Sequence, residues 1–102
     1  MASRLKLQQE LEQVLGSRNV YFQPPETVKM KYDAIVYDFS TISIRSADNK
    51  SYLKQKGYDL TVISPNADND LVDRLLDHFL YIRFNRRYIA DNLYHDSLTL
   101  YF

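Results

Sequence analysis

The sequence predicts one α+β domain, an antiparallel or mixed β-sheet with a long hairpin and two helices packed on one face. Three observations carry that expectation. Two segments space their apolar residues as helices do, and the long runs between and after them alternate as strands do. The order is helix, strands, helix, strands, without the repeated βαβ unit of parallel folds.

Residues 3 to 15 form the first expected helix. Ser3 is the expected N-cap, and Leu7, Leu11, Val14 and Leu15 make one apolar stripe. Gly16 follows where a helix end favours the left-handed conformation. Val20 to Gln23 is a short strand, stopped by Pro24 and Pro25, which lead into an extended loop reaching Lys31.

Residues 34 to 45 make the first long strand. Ile35, Tyr37 and Phe39 alternate on one face, and then the apolar phase moves to Ile42 and Ile44. A one-residue phase change turns every later side chain to the other face, so a bulge is expected near Ser40 and Thr41. A polar turn at residues 46 to 51 leads into the second long strand, residues 52 to 63, with Tyr58, Leu60 and Val62 on one face. The second helix is expected at residues 69 to 79, capped by Asp68, with Leu71, Val72, Leu75, Leu76 and Phe79 as its stripe. Ile82, Phe84 and residues 86 to 88 return to strand. A turn follows at residues 90 to 93, and a final strand carries Leu98, Leu100 and Phe102.

Composition narrows the function. The 102 residues suit one domain, and 45% hydrophobic with 25% charged residues is ordinary globular usage. Thirteen basic residues balance thirteen acidic ones, whereas a protein that grips nucleic-acid backbone usually carries a basic excess. The apolar runs are far shorter than the roughly 20 residues that span a bilayer, and the N-terminal segment reads as helix rather than as a secretion signal. No cysteine is present, which removes disulfides and thiolate metal sites. Nine Tyr and five Phe stand out, because tyrosine suits surfaces that end half-buried against a partner.

No residue pattern points to catalysis, a cofactor or a metal, so the chain is expected not to be an enzyme. His78 and His95 have no second ligand or nucleophile at useful spacing. His95 and Asp96 are adjacent in a strand and so face opposite ways. Asp70, Asp73 and Asp77 lie along one polar helix face and lack the glycine turn of a calcium loop. Gly16 and Gly57 start no phosphate loop. The cluster Arg83, Arg86 and Arg87, flanked by Phe84 and Tyr88, is the strongest candidate for a partner contact, because interfaces enrich Arg and Tyr. In an unbroken strand Arg83 and Arg87 share a face and Arg86 opposes them.

The runs LGSRNVYFQPPETVKMKYDAIVY and RFNRRYIADNLYHDSLTLYF resemble small tail-completion proteins of tailed bacteriophages of Gram-positive hosts, over nearly the whole chain. The element order is also similar to the tail terminator fold of long-tailed phages. That resemblance implies a structural virion protein of the neck, assembled in the host cytoplasm. It would form a homo-oligomeric, hexameric ring that caps the tail tube, ends its polymerisation and meets the head connector. A head-closure or connector subunit of the same neck is the alternative, and a small nucleic-acid-binding regulatory module is the second.

A ring closed head to tail needs two different patches on each subunit. The hairpin of residues 35 to 63 is one candidate and the segment of residues 83 to 94 is the other. Tyr52, Tyr58 and Tyr88 are expected to bury apolar area between subunits. Arg83, Arg86 and Arg87 are expected to pair with acids such as Asp91, or to line a channel and touch DNA non-specifically. On this reading Arg87→Glu blocks ring formation and leaves the subunit folded.

Overall fold

The computed structural model describes residues 4–25, 29–46 and 52–102; for residues 42–46 and 52–55 the backbone alone is described. The expected Ser3 cap and the turn at residues 47–51 lie outside the described residues, as does part of the loop after Pro25. Helix α1 runs Arg4–Leu15 and is followed by strands β1 (Val20–Phe22), β2 (Ala34–Ser46) and β3 (Tyr52–Ser64). Helix α2 runs Leu71–His78, and strands β4 (Ile82–Ala90) and β5 (Leu93–Tyr101) close the chain. The strands form one mixed sheet in the order β1-β2-β3-β5-β4, with β1 parallel to β2 and every other pair antiparallel.

Both helices cover the same face. That face receives Ile35 and Tyr37 from β2, Tyr58, Leu60 and Val62 from β3, and Leu98 and Leu100 from β5. Leu7 and Leu11 of α1 and Leu71 and Leu75 of α2 close over them, joined by Phe79. At roughly 1.5–3 kcal/mol for each fully buried large apolar side chain, this layer dominates the stability.

Polar groups fix where α1 sits. The Tyr37 hydroxyl donates to Oε1 of Gln8 and accepts from Arg4 Nη1 at 3.2 Å, while Gln8 Nε2 donates to the Val20 carbonyl at 3.0 Å. The buried phenol is therefore satisfied, and burial raises its pKa above the usual tyrosine value despite the lowering effect of the Arg4 hydrogen bond. Tyr58 is raised by the same desolvation. Gly16 ends α1 at φ 82, and its amide donates to the Glu12 carbonyl at 2.8 Å, as a left-handed helix terminus requires.

Two expectations about local structure need correction. Asp68 does not cap α2. The helix begins two residues beyond the expected start, with Asp70 at the N-cap position making no side-chain cap bond. Asn69 Oδ1 instead accepts from the Leu71 amide at 3.2 Å, and Asn66 Oδ1 accepts from the Asp68 amide at 3.0 Å. These short side-chain amides fold the approach to the helix into turns that displace Asp68 from the cap. The second correction concerns β4. Its pairing with β5 slips by one residue between Phe84 and Arg86, so Asn85 is the extra residue of a bulge. Arg83 pairs across to Thr99 and Arg86 to Ser97 on the uncovered face, and Arg87 pairs to Asp96 on the helix-covered face. Arg83 and Arg86 therefore share a face and Arg87 opposes them, the reverse of the unbroken-strand expectation.

The bulge expected in β2 is present, between Phe39 and Thr41. Beyond it, at residues 42–46 and 52–55, β2 and β3 pair only with each other, since β1 reaches no further than Tyr37 and β5 no further than Gly57. Gly57 lies where the ribbon leaves the body. A Cβ there would sit 2.8 Å from Thr41 Cγ2 and 3.1 Å from the Tyr101 ring, so only glycine admits that packing.

Candidate self-association surface

Strand β4 is the exposed border of the sheet. Its inner edge bonds to β5, its outer edge has no strand beside it among the described residues, and every residue from Arg83 to Ile89 is exposed. Its apolar side chains continue the exposure of the neighbouring connection: Leu80 is 84% accessible and Ile89 67%, with Tyr81, Phe84 and Leu76 of α2 also open. A nine-residue unpaired border with apolar side chains is a liability that soluble proteins blunt with bulges and charges. Here Asn85 supplies the bulge, and Arg83 and Arg86 supply the charge. Asn85 Nδ2 donates to Thr99 Oγ1 at 2.9 Å and holds the bulge to β5.

Arg87 belongs to a different structure. Its Nε donates to Asp96 Oδ1 at 2.7 Å and its Nη2 to Asp96 Oδ2 at 3.0 Å, a two-point pair with a carboxylate that is 1% exposed. The third nitrogen donates to the Ala67 carbonyl at 2.8 Å, and the guanidinium lies 5.3 Å from the Tyr94 ring centre. The Asp96 hydrogen bond raises the Arg87 pKa further above its ordinary value. Arg87 thus ties β4 and β5 to the loop before α2. Its expected pairing with Asp91 is replaced by Asp96, and Arg87→Glu is expected to damage the subunit itself.

The remaining candidates divide in the same way. Tyr58 is 3% exposed and packs edge-on against Tyr37 and Phe39, so its apolar area is already spent inside the chain and the expected intersubunit role is withdrawn. Tyr88 stays at the surface on the uncovered face, stacked on His95 at 4.9 Å with the Arg86 guanidinium 5.0 Å from its ring centre. Asp91 forms the tight turn of the β4–β5 hairpin with Asn92, both at positive φ (52 and 61), the two-residue geometry that Asp and Asn tolerate. Tyr52 opens β3 opposite Ser46, and its side chain lies outside what is described.

Two positions that sequence reasoning passed over lie on the uncovered face. Asp38 and Asp59 are direct cross-strand partners, both exposed, and neither forms an ion pair among the described residues. Like charges placed opposite each other are destabilising. Neither Arg83 nor Arg86 has a carboxylate partner among the described residues either.

Nothing in the described residues gathers three metal-capable side chains. His78 and Glu10 meet at 3.0 Å and link α2 to α1, and Asp70 pairs with Arg74 along the helix surface. Two hollows, one along the polar side of α1 and one lined by Gln13, Val14, Arg74, Asp77 and His78, are open to solvent. No described helix is long and apolar enough to cross a membrane. Comparison with models of known protein families and with curated proteins finds no match.

Proposed function

We propose that this chain is a structural subunit that closes with copies of itself into a ring at the neck of a tailed phage, capping the tail tube and meeting the head connector. The observation that carries the self-assembling part is β4, an exposed nine-residue strand with no neighbour on its outer edge among the described residues, bearing Phe84, Arg86 and Tyr88. Aromatic and arginine side chains concentrated on an open border favour a protein contact over bare solvation. The projecting two-stranded ribbon of β2 and β3 supports the same reading, since an isolated ribbon is marginal in water and gains from a neighbour. The placement in a phage neck rests on the resemblance of residues 15–37 and 83–102 to tail-completion proteins.

Nucleic-acid binding fits these features less well. The arginines of the uncovered face share it with Asp38 and Asp59, and phosphate would meet both signs. Sedimentation velocity on the purified chain, followed by electron microscopy with isolated tail tubes, tests the proposal. The expected result is a ring-sized species, hexameric by the resemblance, that seats on tube ends. A chain that stays monomeric at high concentration and ignores the tubes removes it. A ring that binds DNA-filled heads instead of tubes identifies the head-closure alternative.

A further inference from the structure

The uncovered sheet face is divided by charge, and the two halves fit each other. One row across the sheet reads Asp38 on β2, Asp59 on β3, Thr99 on β5 and Arg83 on β4, as the cross-strand partners show. The next row reads Val36, Thr61, Ser97 and Arg86. The two carboxylates therefore lie on the hairpin side of the face, the two guanidiniums on its β4 border, and neutral Ser and Thr between them. With strands about 4.8 Å apart, Asp59 and Arg83 are held roughly 10 Å apart in one molecule. All four charged side chains are exposed. In the single chain Asp38 and Asp59 repel each other, and neither arginine has an acidic partner among the described residues.

Resting on the ring-forming reading above, we infer that the Arg83–Arg86 border of one copy docks on the Asp38–Asp59 patch of the next. The occupant of the acidic patch is a second copy of this chain, chosen by charge complementarity. Each copy offers both patches, and on the ring-forming reading each patch meets a different neighbour, head to tail. A cation from outside relieves the repulsion between Asp38 and Asp59, and the neighbouring copy brings two. The contact uses side chains that the subunit does not need for its own packing, unlike Arg87.

Charge swapping tests the contact. One double variant, Arg83→Glu with Arg86→Glu, makes the face wholly acidic, and another, Asp38→Lys with Asp59→Lys, makes it wholly basic. Each alone is expected to associate about 100-fold more weakly than the parent, as like charges meet at the contact. Mixed together, they are expected to restore assembly as even-numbered rings of alternating copies, read by native mass spectrometry. Raising salt from low to high concentration should loosen the parent assembly, a reading independent of whether a variant folds. A parent ring untouched by salt or by either swap overturns this contact and leaves the ring reading standing. A monomeric parent overturns both. A closed one-to-one heterodimer from the mixture overturns the head-to-tail geometry. A shift of short duplex DNA that depends on Arg83 and Arg86, without self-association, assigns the arginines to nucleic acid and overturns the proposal.

Discussion

The two faces of this sheet follow different rules. On the covered face, side chains of Leu60, Val62, Leu98 and Leu100 meet α1 and α2 and leave nothing accessible. Its polar groups are matched within the chain: Tyr37 with Gln8 and Arg4, Asp96 with Arg87, and Ser64 donating to Asp33 at 2.6 Å. On the other face, Asp38, Asp59, Arg83 and Arg86 form no ion pair among the described residues, and beside it Leu80, Phe84 and Ile89 remain open. One arginine cluster contributes to both. A single extra residue, Asn85, sends Arg87 inward as a structural clamp and leaves Arg83 and Arg86 outward. A bulge has therefore separated a side chain that holds the subunit together from two that stay free for contact, within five residues of sequence.

The sharpest way to break this division is at Arg87. Arg87→Glu places a second carboxylate against buried Asp96, and a loss of about 4 kcal/mol or more is expected, enough to unfold a marginal subunit. Circular dichroism and urea titration would show it, and a variant as stable as the parent would contradict the clamp. Leu60→Ala, at a fully buried position in a central strand, should cost about 3 kcal/mol in the same titration. Gly57→Ala is next, at about 1–2 kcal/mol, because the new methyl group must push back Thr41 or Tyr101.

Alkali sharpens the comparison further. Tyr37 and Tyr58 have pKa values raised by burial, so each stays protonated in the folded chain after its unfolded counterpart has ionised. Above the ordinary tyrosine value the folded state then binds more protons than the unfolded one, and stability must fall as pH rises. Urea midpoints taken below and above pH ~10 should decline, and Tyr58→Phe should flatten the decline. The smallest effect belongs to the open face. Arg86→Ala should change subunit stability by no more than about 0.5 kcal/mol, however strongly it alters association.

Much of the covered face was legible in the sequence, because burial imposes period. The 3.6-residue spacing of Leu7 and Leu11 and the alternation of Tyr58, Leu60 and Val62 follow directly from which side meets the core. The β2 bulge was legible for the same reason, as a change of apolar phase. The β4 bulge was not, since that strand lies exposed and its pattern is under no such constraint. A signal was nevertheless present. A two-residue turn at Asp91 and Asn92 sets Ala90 against Leu93, and counting back from it brings Arg87 opposite Asp96. Asp38 and Asp59 stayed hidden because their pairing depends on the hairpin register, which no local spacing displays. Tyr58 misled for a physical reason: tyrosine serves cores and interfaces alike, and the single chain already buries this one.

Hydrogen exchange followed across a dilution series tests most directly whether one face is finished and the other is shared. Amides of β3 and β5, whose side chains pack under the helices, should exchange slowly at every concentration. Amides of β4 should be protected in concentrated solution and lose that protection on dilution, as the neighbouring copy departs. Protection in β4 that is the same at all concentrations would contradict the shared border and leave a subunit complete on its own.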